Sequence, residues 1–161
     1  MTQTSHQFVI DSSVLIEAHR RYYAHDLLPG FWDVLANESR VCSIDRVFRE
    51  LENHKDWLAE WAKQHKTWFL STDNQRTIDQ YVKIVNWVNS VPRFNLKSKK
   101  DFFDGADSWL CAYASAFHLT VVTQEISESF SPKVKIPDVC DQFGIPCINT
   151  FEMLRALNIV F

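Results

Sequence analysis

Four acids in this chain stand where separate elements end or begin. Asp11 follows the apolar run Phe8-Val9-Ile10, and Glu50 falls early in the helical stretch after Val41-Cys42-Ser43-Ile44. Asp107 lies near the start of a further helical stretch, and Glu125 sits just past Leu119-Thr120-Val121-Val122-Thr123. Taken singly, each has a plain role. Asp11 equally suits the cap of the following helix, Glu50 a solvated helix charge, Asp107 a helix-dipole partner and Glu125 a loop acid. Together they suggest chemistry. Carboxylates gathered in one pocket repel each other and are driven towards protonation, unless a hard divalent cation neutralises them. An acidic, oxygen-ligated metal site is the economical reading.

The elements that would have to bring these acids together follow from the hydrophobic pattern. The Val/Ile-rich run ending at Asp11 reads as a strand covered on both faces. Ser12–His19 and Pro29–Glu38 read as short helices, with Pro29 suited to a first turn. After the strand Val41–Ile44, a long amphipathic helix is expected from the spacing of Phe48, Leu51, Leu58 and Trp61. Thr67–Leu70 reads as a third strand and Asp73–Asn89 as a helix. A polar, basic connection containing Pro92, Arg93, Lys97, Lys99 and Lys100 then leads to a helix over Asp104–His118. Asp104 and Asp107 would share its first turn. Leu119–Thr123 is a strand, Pro137–Phe143 a helix closed by Gly144, Pro146–Ile148 a last strand and Thr150–Leu157 a last helix. Strands alternating with helices predict a parallel sheet with helices on both faces. In such a sheet all four acids can converge at the carboxyl ends of the strands.

Composition narrows the function class. With 161 residues, 46% of them hydrophobic, the chain can bury one sizeable core, so a single domain over 1–161 is expected. Three glycines leave no Gly-rich phosphate loop. The apolar runs are too short to span a membrane and the start lacks a signal-peptide layout, so a soluble, cytoplasmic protein is expected. Cys42, Cys111, Cys140 and Cys147 lack zinc-site spacing and read as reduced, buried thiols. The six histidines include no i, i+4 pair, so a histidine-built metal site is not expected. A net charge of −3 does not advertise a nucleic-acid binder, so local patches must carry that argument. Arg93, Lys97, Lys99 and Lys100 form such a patch, able to guide phosphates to an acidic site. Trp57, Trp61, Trp87, Trp109 and Tyr81 recur at helical spacing and read as core, not as base-stacking platforms.

Several short motifs, in this order and spacing, resemble the PIN-domain ribonucleases, and more closely a VapC-like toxin subgroup. They are Val9-Ile10-Asp11-Ser12-Ser13, Ser43 with Val47 and Glu50-Leu51, and Ala106-Asp107-Ser108-Trp109-Leu110 with Ala112 and Ala114. Val121-Val122-Thr123 with Glu125 continues the pattern. The tail Lys135-Ile136-Pro137-Asp138-Val139-Cys140 with Gly144-Ile145-Pro146-Cys147 resembles that subgroup in particular.

The resemblance covers nearly the whole chain and implies a three-layer α/β/α PIN-like fold around a central, mostly parallel sheet. It also implies that Asp11, Glu50, Asp107 and Glu125 are catalytic acids that bind Mg²⁺ or Mn²⁺. Two positions depart from the family pattern. Ser13 stands where PIN domains often carry Asn, and Glu125 where they often carry Asp. Ser12 and Thr123 are candidates to orient water at the outer edge of the site, although bonding to nearby backbone is their commoner role. Asp104 is a candidate outer acid, or else the cap of its helix.

The implied activity is metal-assisted hydrolysis of RNA phosphodiesters. The implied partners are RNA, a cognate antitoxin protein and a second copy of the chain, with no membrane. A haloacid-dehalogenase-type phosphatase would need an acid at Ser13. A receiver-type phosphoacceptor would have no use for Glu50 in a helix. The remaining alternative is a PIN scaffold without catalysis, acting as an RNA- or protein-binding module.

Overall fold

A computed structural model describes residues 6–128 and 130–161, so residues 1–5 and 129 of the expected 1–161 unit lie outside the described residues. Among the described residues five short strands, β1 (Phe8–Ile10), β2 (Val41–Ile44), β3 (Phe69–Leu70), β4 (Thr120–Val122) and β5 (Cys147–Ile148), form one sheet in the order β3-β2-β1-β4-β5. Every pairing is parallel. Helices flank this sheet in a three-layer α/β/α arrangement, as expected from the alternation of elements. The buried strands explain their own composition. All three residues of β1 and all four of β2 are buried. The single hydroxyl in β2 is satisfied, with Ser43 Oγ donating to the Ile10 carbonyl at 2.6 Å.

The helices are α1 (Ser12–Glu17), α2 (Pro29–Asn37), α3 (Asp45–Glu52), α4 (Trp57–Gln64), α5 (Gln75–Ser90), α6 (Leu96–Asp104), α7 (Asp107–Phe117), α8 (Ile136–Phe143) and α9 (Thr150–Ala156). A π-helical turn over Ala18–Tyr22 extends α1, and a 3₁₀ turn over Lys66–Trp68 precedes β3. Pro29 opens α2, and Gly144 closes α8 at φ 66°, a left-handed conformation that suits glycine. Among the described residues no helix is long and apolar enough to cross a membrane.

Three expectations are corrected. The long helix after β2 is two helices, because Lys55 adopts φ 51°, where a right-handed helix cannot continue. Asp56 then caps α4 by accepting from the Ala59 amide at 3.0 Å. The basic connection is largely the helix α6, started by Asn95, whose side chain accepts from the Ser98 amide at 2.8 Å. Its buried side is confined to Phe102, with Phe103 packed against the core, and both follow the polar run Lys97-Ser98-Lys99-Lys100-Asp101 that reads as a loop. As a result Asp104 ends α6 while Asp107 begins α7, and the two do not share a first turn.

Helix α7 is the central support. Ser108, Leu110, Cys111, Ala112, Tyr113, Ala114 and Ala116 are all buried along it. Helix α5 packs on it, with Tyr81 stacked on Trp109 at 3.9 Å between ring centroids. The Arg46 guanidinium covers the Trp109 ring at 3.9 Å. Trp61 is buried, and Trp57, Trp87, Trp109 and Tyr81 are packed against the core, in agreement with their helical spacing. Cys42, Cys111 and Cys140 are buried free thiols, and Cys147 is a half-buried one.

Candidate active site

The sheet order places a switch point between β1 and β4. The chain winds outward from β1 through β2 to β3, then returns to place β4 on the other side of β1. Connections that leave in opposite directions open a crevice beyond the carboxyl ends of the two strands. Ile10 pairs with Val122, so the next residues, Asp11 and Thr123, meet at that crevice.

Asp11 occupies the cap position of α1 but makes no side-chain capping bond, so its carboxylate is spent elsewhere. It is only 2% exposed. Its Oδ2 accepts from Ser13 Oγ at 2.6 Å and from Thr123 Oγ1 at 2.9 Å, while Ser12 Oγ lies a long 3.5 Å from Oδ1. The two clamping hydroxyls are themselves held. Ser13 Oγ accepts from the Gln124 amide at 3.2 Å, and Thr123 Oγ1 from the Glu125 amide at 3.1 Å. Thr123 therefore supports Asp11 directly, and Ser13, which was not among the expected site residues, makes the shortest bond to it. Its signal was the i, i+2 spacing from a strand-terminal acid.

The other three acids arrive from different elements. Glu50 on α3 accepts from the Ala106 amide at 2.8 Å through Oε1, tying α3 to the start of α7. Glu125 accepts from the Ile136 amide at 2.8 Å through Oε2, at the start of α8. Asp107 accepts no hydrogen bond from any described residue. Asp11, Glu50, Asp107 and Glu125 line one cleft of about 380 Å³ together with Ser12, Ser13, Gly105 and Asp101. All four acids expected from the sequence thus face a common space. Asp104 does not line that cleft: it is exposed at the end of α6 and pairs with Lys100. Asp101, one turn earlier, takes the bordering position, because α6 is a helix where a loop was expected.

The basic patch is also rearranged. Arg93 Nη2 lies 3.7 Å from Asp138, and its guanidinium covers the Phe94 ring at 4.6 Å. With Lys100 engaged by Asp104 and Lys99 half-buried away from the cleft, only Lys97 of the four borders a pocket shared with the acids. Lys133 and Lys135 join it there. Neither was expected at the site, since they come from a loop remote in sequence from Lys97, and Lys135 was met only as the start of the tail motif.

The acids are electrostatically strained. Burial pushes the Asp107 carboxyl well above the ordinary range, the charges of Asp11, Glu125 and Glu50 push it further, and Lys135 opposes them. Burial also raises Asp11, with Glu50 adding to the rise, against the hydrogen bonds from Ser13 and Thr123. Burial raises Glu125 too, against the bond from the Ile136 amide. Such a set accepts a cation more readily than a fourth negative charge. Its donors are all oxygen, which fits Mg²⁺ or Mn²⁺. Glu50 and Glu125 each have one oxygen anchored by an amide, and Asp107 has both oxygens free of protein donors, so ligating atoms remain. Among the described residues, no three acid, histidine or cysteine side chains are already drawn together as a finished cage. A cation would have to draw the carboxylates inward.

The model of a protein family described as a domain of unknown function, DUF4411, matches residues 8–161. The chain belongs to this family. The DUF4411 match begins at the first residue of β1 and runs through α9, so it takes in every acid of the cleft. No curated protein matches the chain.

Proposed function

We propose that this chain is a PIN-like, Mg²⁺- or Mn²⁺-dependent endoribonuclease, and the toxin partner of a type II toxin–antitoxin pair. The observation that carries the nuclease reading is the convergence of Asp11, Glu50, Asp107 and Glu125, from four separate segments, on one cleft at the sheet's switch point. Four acids that repel one another are destabilising unless they serve something positive. Their cleft borders a pocket whose far side carries Lys97, Lys133 and Lys135, the charge a polynucleotide backbone prefers.

Asp11, Glu50, Asp107 and Glu125 would hold the cation. Once bound, it supplies Lewis acidity towards the phosphodiester and a source of hydroxide near neutral pH. The chain's own residues do the rest. Ser13 and Thr123 fix the Asp11 carboxylate in one orientation, and the amides of Ala106 and Ile136 do the same for Glu50 and Glu125. Lys135, close enough to oppose the rise at Asp107 and Glu125, lends positive charge at the rim. RNA as the substrate, the antitoxin and a paired second copy rest on the resemblance to the PIN family.

The test is cleavage of labelled RNA by purified protein. Activity is expected in Mn²⁺ or Mg²⁺, none in excess chelator, and none in Asp11→Asn or Asp107→Asn proteins that melt cooperatively. Cleavage undiminished by chelator sinks the reading. The second reading is a binding module without catalysis that uses the lysine side of the pocket beside the acids. It predicts RNA binding without cleavage in any cation. For the toxin role, growth arrest on expression, lost in Asp107→Asn, is the expected result, and unaffected growth with an active nuclease removes it.

A further inference from the structure

Two hydrogen bonds join segments that the sequence keeps far apart. The Asn95 amide donates to the Pro132 carbonyl at 3.1 Å, and the Val134 amide to Ser98 Oγ at 2.6 Å. They lash the loop before α8 onto the first turn of α6. Lys133 and Lys135 thereby flank Lys97 around a pocket of about 300 Å³. Among the described residues none of the three lysines makes an ion pair, whereas Lys63, Lys100, Arg21, Arg40 and Arg93 do. Asp101, Asp107 and Glu125 line both this pocket and the acid cleft, so the two are adjacent compartments of one groove.

The charges divide the groove. Away from the shared wall the pocket presents three ammonium groups, the Asn95 side chain and the Ser98 hydroxyl, whose oxygen already accepts and whose proton is free to donate. On that lysine side an anion with several acceptor oxygens finds donors, while a cation is drawn to the acids of the shared wall. In a polynucleotide the phosphates recur along the strand, so a strand with one phosphate at the acids has another to set beside them. We propose that Lys97, Lys133 and Lys135 form a phosphate subsite that grips the RNA phosphodiester neighbouring the one at the carboxylate cleft. The subsite rests on the ribonuclease reading for its substrate but not for its geometry. It fixes which direction the strand runs from the acids, and it is absent from the run Arg93–Lys100 alone.

The experiment measures binding of a fluorescein-labelled oligouridylate in chelator, where no cation-dependent cleavage interferes, over a range of salt concentrations. Each single-strand phosphate contact contributes about 0.7 to the slope of log affinity against log salt. The double variant Lys97→Ala/Lys133→Ala is expected to weaken binding at every salt and to flatten the slope by about 1.4. Lys63→Ala/Lys99→Ala, which removes as much charge outside the pocket, should leave the slope nearly unchanged. All three proteins should melt alike, since the four lysines are exposed or half-buried. If the two double variants flatten the slope equally, or neither does, the subsite is overturned while cleavage by wild type still supports the nuclease. Wild type that binds no RNA at any salt overturns the subsite, and cleavage in Mn²⁺ then decides the nuclease by itself. Lysine-dependent binding without cleavage in Mn²⁺ upholds the subsite and removes the nuclease.

Discussion

Thr123→Val is the substitution whose consequence follows most directly from the geometry. It keeps the shape of a 3%-exposed side chain and deletes one hydroxyl. That hydroxyl donates to Asp11 Oδ2 at 2.9 Å and accepts from the Glu125 amide at 3.1 Å. A hydrogen bond to a charged group is worth about 1.5–3 kcal/mol. Ser13 continues to donate to the same oxygen, so the lower end applies, about 1.5 kcal/mol. The half-exposed Glu125 amide loses an acceptor that water can partly replace, adding about 0.5 kcal/mol. In chelator the expected loss is about 2 kcal/mol at a pH where Asp11 is ionised.

The pH dependence has a definite sign. The Thr123 bond favours the charged form and lowers the Asp11 pKa in the folded state, against the larger upward push of burial. The stabilisation it provides is therefore present above the titration of Asp11 and lost as pH falls through it. Urea unfolding of wild type, Thr123→Val and Thr123→Ser at about pH 8 and about pH 5 reads this out. The valine deficit should shrink at the lower pH, and Thr123→Ser should recover most of the stability. A deficit equal at both pH values and unrelieved by serine would refute the assignment of Thr123 as the Asp11 clamp.

Two further outcomes are expected. Asp107→Asn should raise the melting temperature in chelator near neutral pH, because wild-type Asp107 has a raised folded pKa: stability is highest below its titration and falls as pH rises through it. The same variant should lose the Mn²⁺-induced upward shift, worth about 2.7 kcal/mol at a hundredfold excess over the dissociation constant in wild type; equal shifts in both proteins over a Mn²⁺ titration would place the ion elsewhere. Gly105→Ala would set a Cβ 3.3 Å from Glu50 Oε1 and 3.3 Å from the Asp101 carbonyl, so a loss of about 1 kcal/mol and weakened Mn²⁺ binding should appear by urea unfolding and metal titration.

The strands and most helices were legible from the residues because hydrophobic period is a local property. Runs such as Phe8–Ile10 and Val41–Ile44 are buried on both faces, and Asp11 ends the first of them. That alternation was enough to place the carboxyl ends of parallel strands, and with them the cleft that the four acids line. What the sequence could not decide was which neighbours each acid acquires. Asp11 equally suited a helix cap, and only the pairing of β1 with β4 turned it towards Thr123, 112 residues away. Glu50 needed the Ala106 amide, 56 residues away, to become part of the site. Helix α6 was hidden because an unbroken polar run follows its first residue and its core-facing apolar side chains, Phe102 and Phe103, come only near its end, and its formation exchanged Asp104 for Asp101 at the cleft. Lys133 and Lys135 entered only when the loop before α8 was bonded to α6. Local pattern determines which elements form, since it is written in neighbouring side chains. The charges that meet at their ends are decided by the tertiary structure, because hydrogen bonds and Coulomb forces act between atoms close in space, whatever their separation along the chain.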